Sequence, residues 1–254
     1  MQTESLKILV TGAASGIGRC LALELAREGA QVVAGDIDAD GLHRLEADGR
    51  LLSGALSTLS LDVTNEASVK QGVETAAARL GSINGLVNSA GILRDGLLAV
   101  REPEGWVRKL PTAQWKAVLD VNLTGPYLMT REIAAYMLEH EVRPGLIVNI
   151  SSITGAGNPG QSNYAAAKAG LDADTRTWAL ELAPYGIRVA GIAPGLTDTP
   201  MVSLLSDDTY SAILDNIPLG RMAQPDEIWL ALRFTIECDY FTGRTIAVDG
   251  GANF

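Results

Sequence analysis

The sequence predicts an α/β fold in which a doubly wound parallel sheet of about seven strands carries helices on both faces. Short apolar runs alternate with longer helical patterns along all 254 residues, and this alternation is typical of βαβ units. The strand runs are almost continuously apolar, as expected of strands that are covered on both faces. No linker rich in Pro, Gly or Ser interrupts the order, so we expect a single domain over residues 1–254.

The individual elements follow from these patterns. The predicted strands are residues 7–10, 31–35, 58–62, 85–89, 146–151, 188–192 and 245–248. The helical patterns between them include residues 16–28, 66–80, 112–139, 162–183 and 225–237. Two stretches break the order: 94–110 is rich in charge and is predicted to be a surface excursion, and 195–220 is a long connection of the kind that shapes binding sites. Within that connection, Met201, Leu204 and Leu205 fit either an apolar substrate tail or packing under a lid.

The charge balance is acidic. Twenty Lys and Arg stand against 30 Asp and Glu, which gives a net charge of −10. General binding of nucleic acid requires a basic surface that displaces counterions, so we expect no nucleic-acid partner. No apolar run reaches the ~18 residues of a membrane span, and the polar N-terminus does not have a signal-peptide pattern. We therefore expect a cytoplasmic protein with no membrane partner. The two Cys and two His lack ligand spacing, so no metal site is expected.

A glycine-rich turn follows the first predicted strand. Its glycines, Gly12, Gly16 and Gly18, have the spacing G-x-x-x-G-x-G. Gly12 permits a tight turn, whereas Gly16 and Gly18 let the backbone approach a pyrophosphate and a neighbouring strand. The next helix presents free N–H groups and the positive end of its dipole to an anion. The context predicts a dinucleotide-binding turn with Ser15 and Ile17 as further contacts, although three glycines also fit a purely structural turn.

An acidic residue ends the second predicted strand. Asp36 lies 18 residues after Gly18, where a carboxylate accepts hydrogen bonds from the adenosine ribose and repels a 2′-phosphate. Asp38 and Asp40 add negative charge, so NAD is favoured over NADP. Two alternatives stay open: Asp36 caps the following helix, or Arg19 helps to hold the additional phosphate of NADP.

Tyr164 and Lys168 form the strongest candidate for chemistry. At positions i and i+4 they share one face of a predicted helix. A phenol has a pKa near 10 in solution, and an adjacent ammonium lowers it. We expect Lys168, together with a positive nicotinamide, to lower the pKa of Tyr164, although an exposed helix pair is the alternative. Ser152 follows a strand end that carries hydroxyl groups, and Asn122 places an amide in mid-helix, which is not a structural preference.

Six ordered motifs together resemble the short-chain dehydrogenase/reductase family over essentially the whole chain. They are the glycine turn from Thr11 to Gly18, Asp62-Val63, Asn88-Ser89-Ala90-Gly91, Asn122, Ser152 with Tyr164 and Lys168, and Pro194-Gly195. The resemblance implies a Rossmann fold and catalytic residues Asn122, Ser152, Tyr164 and Lys168. Tyr164 would exchange a proton with the substrate oxygen, and Ser152 would hydrogen-bond that oxygen. Lys168 would bind the nicotinamide ribose, and Asn122 would hold a water of a proton relay.

The resemblance also implies further contacts to the cofactor. Asp62 and Val63 would contact adenine, and Asn88, Ala90 and Gly91 would support the cofactor cleft. After the sixth strand the implied contacts are Pro194, Gly195, Thr197 through its backbone, and Thr199 through a side chain at the nicotinamide carboxamide. The family usually places its serine 13 residues before the tyrosine. Ser151 has that spacing, whereas Ser152 is 12 residues away but fits the Ser-Ser-x-x-Gly pattern, so Ser152 is favoured and Ser151 stays open.

Within the family the chain resembles 3-oxoacyl thioester reductases, on segments 160–170, 218–221, 240–243 and 249–251. Asp36 is unusual for a biosynthetic reductase, which would draw on NADPH, and the mixed charge of residues 139–143 suits an acidic carrier protein poorly. We predict an NAD(H)-dependent oxidoreductase that interconverts a secondary alcohol and a ketone, such as a 3-hydroxyacyl thioester. The alternatives are an NADPH-dependent 3-oxoacyl-acyl-carrier-protein reductase and, more remotely, a non-catalytic dinucleotide sensor or scaffold. The resemblance implies a homotetramer or homodimer.

Overall fold

A seven-stranded parallel sheet forms the centre of the molecule, in a computed structural model that describes residues 1–50, 52–200, 214 and 216–252. The described residues form nine strands: β1 (Lys7–Thr11), β2 (Gln31–Asp36), β3 (Leu56–Ser60), β4 (Gly85–Asn88), β5 (Ala99–Arg101), β6 (Val107–Lys109), β7 (Gly145–Ile150), β8 (Ile187–Pro194) and β9 (Thr245–Val248). The large sheet has the order β3-β2-β1-β4-β7-β8-β9, and the predicted fold class is confirmed.

Seven α-helices are described around the sheet: α1 (Gly16–Arg27), α2 (Ala39–Gly49), α3 (Glu66–Leu80), α4 (Thr112–Leu119), α5 (Gly125–Glu139), α6 (Ser162–Leu182) and α7 (Pro225–Glu237). One apolar cluster packs α1, α2 and α7 on one face of the sheet, and a second packs α3 and α5 on the other. Apolar residues at helical spacing, such as Leu21 and Leu25 of α1, are completely buried in these clusters. None of the described helices combines the length and apolarity that a membrane crossing requires.

The topology places a crevice above β1 and β4. The chain leaves β1 toward β2 on one side and returns to β4 on the other, so the loops after β1 and β4 diverge at the carboxyl edge of the sheet. Ligands bind at such switch points in open α/β sheets. The residues that follow β1, β4, β7 and β8 therefore face one another across this edge.

Three expectations about the elements need correction. The helix predicted over 112–139 is divided into α4, a π-helical turn at Asp120–Thr124 and α5, because a π-turn does not change the apolar periodicity enough to be recognised in the sequence. The excursion at 94–110 contains the antiparallel hairpin β5–β6. The third strand lies at Leu56–Ser60, two residues before its predicted position. Met201, Leu204 and Leu205 lie outside the described residues.

Candidate active site

The glycine turn between β1 and α1 is built by close backbone packing. Gly12 has φ +66°, and a Cβ there would lie 2.6 Å from the Cα and 2.7 Å from the N of Ala90. A Cβ on Gly18 would collide with the carbonyl oxygen of Gly12. Gly16, with φ +55°, has Thr199 as its nearest neighbour, 3.5 Å away. Gly12 and Gly18 thus hold the turn against the loop after β4, while Gly16 leaves the entrance to α1 open.

The first turn of α1 is the predicted anion site. Ser15 stands at the N-cap in an extended conformation, and its side chain makes no capping hydrogen bond. The first N–H groups of a helix have no partner within the helix, so those that follow Ser15 are available to a ligand. Ile17 is partly buried and packs against the core cluster beneath, which fixes this end of the helix.

Asp36 is held against the glycine turn. Its Oδ2 accepts a hydrogen bond from the N–H of Ala14, and its Oδ1 accepts one from the N–H of Asp38, both at 3.0 Å. The side chain of Asp38 caps α2 through the N–H of Gly41. The alternative in which Asp36 is the helix cap is therefore wrong.

Two arginines near Asp36 are already paired with acids. Arg19 forms an ion pair with Asp48, and Arg44 lies 3.9 Å from Asp38. Both arginines line the cleft beside Ser15 and Gly16. Neither guanidinium is free of a carboxylate, so an additional phosphate here would compete with two existing ion pairs.

The ends of β3 and β4 supply the next predicted residues. The Oδ1 of Asp62 accepts hydrogen bonds from the N–H and the hydroxyl of Thr64, at 2.9 and 2.7 Å. Val63 is buried, and a Cβ on Gly125 would lie 2.8 Å from its Cγ2. Ala90 contacts Gly12 as described above, and Gly91 adjoins the side chain of Asn122.

Asn88 belongs to a buried polar chain below the crevice. Its Nδ2 donates to the hydroxyl of Thr130 at 3.0 Å and to Oδ1 of Asn149 at 2.8 Å. Asn149 in turn donates to the hydroxyl of Thr175. The Oδ1 of Asn88 is buried and has no hydrogen-bond partner. These contacts tie β4, β7, α5 and α6 together beneath the site.

Asn122 lies in the π-helical turn and is completely buried. Its Oδ1 accepts from the N–H of Ile92 at 2.9 Å, and its Nδ2 donates to the carbonyl of Ile92 at 3.0 Å. The side-chain amide therefore fixes the loop after β4. Short π-helical turns inside α-helices are frequently found at functional sites.

The side chain of Ser152 lies near the phenol of Tyr164 and favours its ionised form. Ser152 Oγ also accepts from the N–H of Thr154 at 3.2 Å and lies 2.9 Å from the hydroxyl of Thr154. Ser151 is buried on the opposite side of the strand, where its hydroxyl donates to the carbonyl of Lys168 at 3.4 Å. The structure thus brings Ser152, and not Ser151, to the tyrosine.

Lys168 is buried one helical turn from Tyr164. Its Nζ donates to the carbonyl of Ile150 at 2.7 Å and lies 5.5 Å from the centre of the Tyr164 ring. Burial lowers the pKa of Lys168 to about 8, against a smaller opposing effect of Asp172. The ammonium is therefore anchored to the end of β7, the strand that leads into Ser152.

The expected direction of the Tyr164 pKa was wrong for the chain alone. Burial raises the pKa of Tyr164 to about 12, the nearby side chain of Ser152 opposes this rise, and Asp95 adds to it. Because the ammonium of Lys168 is directed to a backbone carbonyl, it does not offset the desolvation of the phenol. Tyr164 consequently keeps its proton at neutral pH.

The loop after β8 completes the ring of predicted residues. Pro194 ends the strand, and a Cβ on Gly195 would lie 2.7 Å from the Cα of Asp249. Thr197 is buried and donates to the carbonyl of Gly195 at 3.2 Å. Thr199 adjoins Gly16, so this loop meets the glycine turn.

Three residues of the site had no predicted role. The hydroxyl of Thr11 accepts hydrogen bonds from the N–H groups of Ser89 and Ala90, at 3.1 and 3.2 Å. The side chain of Asn163 is buried, accepts from the N–H of Tyr164 and donates to the carbonyl of Arg94. Thr154 orients Ser152. The hydroxyl two residues after the serine was the one signal in the sequence that pointed to Thr154.

Comparison with known proteins identifies the family. A family model described as enoyl-(acyl carrier protein) reductase matches residues 12–253. The chain is a short-chain dehydrogenase/reductase. This short-chain dehydrogenase/reductase is similar to 3-oxoacyl-[acyl-carrier-protein] reductase FabG of Thermotoga maritima, with 42% identity over 99% of both chains. The corresponding protein of Escherichia coli is 37% identical over 99% of this chain and 98% of its own.

Other similar proteins include a dehydrogenase that is named for a coenzyme A thioester. The (2S)-[(R)-hydroxy(phenyl)methyl]succinyl-CoA dehydrogenase subunit BbsD of Thauera aromatica is 38% identical over 96% of this chain and 94% of its own. A short-chain type dehydrogenase/reductase from Mycobacterium marinum superposes with a TM-score of 0.90 at 29% identity, over 98% of this chain and 96% of that one. The protein is an oxidoreductase that binds a nicotinamide dinucleotide and acts on CH–OH or keto groups.

Proposed function

We propose that this enzyme uses NAD(H) to interconvert a secondary alcohol and a ketone, with a 3-hydroxyacyl or 3-oxoacyl thioester as its substrate. The proximity of Ser152 to Tyr164, with Lys168 buried one turn away, carries this proposal. Two hydroxyl groups that meet at the carboxyl edge of the sheet suit a substrate oxygen that gains or loses a proton. A sensor or scaffold without turnover, the remote alternative, would not need this arrangement.

The chain's own residues perform the proton chemistry in this proposal. When bound, the nicotinamide supplies or accepts the hydride at the substrate carbon. In reduction, Tyr164 donates its phenolic proton to the substrate oxygen, and its pKa of about 12 keeps that proton in place beforehand. Ser152 donates a hydrogen bond to the same oxygen and stabilises the charge that develops there. The N–H of Thr154 donates to Ser152 Oγ and so orients the serine hydroxyl.

Lys168 and Asn122 support this step. The ammonium of Lys168 would bind the nicotinamide ribose from its position against Ile150. As its pKa is about 8, Lys168 can return a proton to Tyr164 near neutral pH. A water held at Asn122 would continue a proton relay from Lys168 to solvent.

The crevice also fits the dinucleotide. At Gly12 and Gly18, where a Cβ would collide, the backbone forms a tight cradle, and the first turn of α1 presents its N–H groups beside it. Further contacts to the cofactor would come from Gly16, Ser15, Ile17, Asp62, Val63, Asn88, Ala90, Gly91, Pro194, Gly195, Thr197 and Thr199. The unpaired buried oxygen of Asn88 is a further polar group at the base of this cleft.

The preference for NAD over NADP rests on Asp36. Its carboxylate is fixed beside the turn by two backbone N–H groups, where it would accept from the ribose hydroxyls and repel a 2′-phosphate. Arg19 and Arg44, which could neutralise such a phosphate, already face Asp48 and Asp38. The alternative is an NADPH-dependent 3-oxoacyl-acyl-carrier-protein reductase, which the names of the FabG relatives favour.

A substrate panel with both cofactors tests the proposal. Acetoacetyl thioesters, small diols, cyclic and aromatic alcohols and a crotonyl thioester would each be assayed with NAD(H) and NADP(H). We expect turnover of the 3-oxoacyl thioester and a higher kcat/KM with NADH. If the enzyme reduces only the crotonyl thioester, it reduces a carbon–carbon double bond and not a ketone, and the proposed reaction is wrong. That reaction is the one named in the description of the family model.

Two charge variants separate the role of Asp36 from that of overall acidity. Asp36→Asn should reduce the difference in kcat/KM between NADH and NADPH, because it removes the negative charge and keeps a hydrogen-bond acceptor. Asp40→Asn, in the first turn of α2, removes the same charge without a hydrogen bond to the glycine turn and should narrow the difference in kcat/KM much less. A clear preference of the unaltered enzyme for NADP(H) would refute the argument from Asp36.

Localisation, assembly and partners are also part of this proposal. We expect a single cytoplasmic domain that assembles as a homotetramer or homodimer through its long helices and C-terminal strand, with a small-molecule substrate and neither nucleic acid nor membrane as partner. Light scattering that gives only the monomer mass would contradict the assembly.

A further inference from the structure

The hairpin β5–β6 projects from the mouth of the proposed active site. Its base is fixed to the loop before Tyr164: the N–H of Gly96 donates to the carbonyl of Gly160 at 2.7 Å. Gln161 donates to the carboxylate of Asp95 at 2.9 Å, close to that bond. A group bound to the hairpin is therefore held at a fixed position relative to the catalytic residues.

The two faces of the hairpin differ in charge. Ala99 pairs with Lys109 and Arg101 with Val107, so these four side chains share one face. Arg108, on the other face, forms an ion pair at 2.5 Å with Glu102, the residue that follows β5. We call the face with Arg101, Val107 and Lys109 the cationic face.

The cationic face has no anionic partner within the described part of the chain. Arg101 and Lys109 are exposed, and neither forms an ion pair there. Like charges close together on one face of a strand pair are unfavourable, so an anion that binds between them relieves a repulsion. Val107 is 49% exposed between the two cations and adds an apolar contact.

We propose that the cationic face binds the phosphorylated adenosine end of a coenzyme A thioester while the acyl end lies at Tyr164. This inference rests on the proposed function and names the carrier of its acyl group. Such a thioester is a linear molecule with all its negative charge at the end remote from the reacting carbon. Arg101 can bind a phosphate through two parallel hydrogen bonds, and Lys109 adds a point charge.

The small area of the cationic face and the acidic residue beside it favour coenzyme A over an acidic carrier protein. A stable protein partner covers about 800 Å² on each side, more than one face of a hairpin with strands of three residues offers. A partner of that size would also cover the turn of the hairpin, where Glu104 is exposed. Phosphate groups need only the two cations.

Steady-state kinetics with two thioesters test the inference. Acetoacetyl-coenzyme A and acetoacetyl-N-acetylcysteamine share the reacting group, but only the first carries phosphates. In the double variant Arg101→Gln/Lys109→Gln we expect KM for the coenzyme A thioester to rise about tenfold, as for the loss of two exposed charged contacts. The KM for the short thioester and both kcat values should stay unchanged. Arg108→Gln, on the opposite face, is the matched control and should leave both KM values unaltered.

Several outcomes would overturn the inference. An unchanged KM for acetoacetyl-coenzyme A, or an equal rise for both thioesters, would exclude a phosphate site. If the double variant changes KM only for an acyl-carrier-protein substrate, the cationic face binds a carrier protein. If it changes the molar mass measured by light scattering, the cationic face lies between copies of this chain. If the unaltered enzyme reduces neither thioester, the proposed function fails. Calorimetric titration of free coenzyme A at saturating NAD⁺ then decides the inference separately, because binding must occur and must weaken in the double variant.

Discussion

The replacement of Gly12 by alanine should weaken both the fold and cofactor binding. The new Cβ would lie 2.6 Å from the Cα of Ala90, closer than carbon atoms approach one another. Relief of this overlap requires the turn after β1 and the loop after β4 to separate. The residue also has φ +66°, which an L side chain adopts only with strain.

The size of the effect follows from these two costs. The left-handed conformation costs ~1–2 kcal/mol for a residue with a side chain. Overpacking against rigid backbone adds about 1–3 kcal/mol. For a chain of this length, 1 kcal/mol of unfolding free energy corresponds to roughly 2–4 °C in Tm. Gly220 is a matched control, since it has φ +64° with no atom within 4 Å of its Cβ position, so Gly220→Ala carries the first cost alone.

Thermal unfolding of the two variants measures the difference. Gly12→Ala should lower Tm by about 2–12 °C more than Gly220→Ala does, since only the overlap distinguishes them. NADH affinity should fall in Gly12→Ala alone, because the displaced turn no longer presents the N–H groups of α1. Equal Tm shifts together with unchanged NADH affinity in both variants would refute the packing argument.

The remaining predictions concern the residues around Tyr164. Ser152→Ala should lower kcat by about 10²–10³, as for loss of an oxyanion donor, and an equal loss in Ser151→Ala would contradict the catalytic role of Ser152. Thr154→Val should lower kcat with little change in KM, and Thr154→Ser should restore it; failure of that rescue would contradict a positioning role. Because the pKa of Lys168 is about 8, its ammonium is lost as pH rises through that value, so kcat/KM for ketone reduction should fall above about pH 8. A profile that stays flat to pH 10 would exclude this dependence.

The sequence predicted the sheet because its signals are local and periodic. Apolar runs of strand length define the seven strands, and their alternation with helices allows few topologies. The Tyr164–Lys168 pair could be recognised for the same reason, since one helical turn relates the two residues. The glycine turn was predicted as a whole, but the contact of Gly12 with Ala90 joins residues 78 positions apart, which spacing does not reveal.

The features that were missed depend on tertiary structure. Ser151 and Ser152 are adjacent, and only the direction of β7 at Ile150 decides which of them faces Tyr164. Burial determines the direction of the Tyr164 pKa, and the sequence pattern contains no measure of desolvation. The hairpin β5–β6 has strands of three exposed or half-exposed residues, too short and too polar for a periodic signal.

Turnover and cofactor binding of Tyr164→Phe, measured side by side, test whether Tyr164 is the proton donor. The variant removes one hydroxyl group and leaves the cradle at Gly12 intact. We expect kcat for acetoacetyl thioester reduction to fall by at least about 10², the usual contribution of a general acid, while calorimetry gives an unchanged Kd for NADH. Undiminished turnover of every accepted substrate would contradict the assignment of Tyr164.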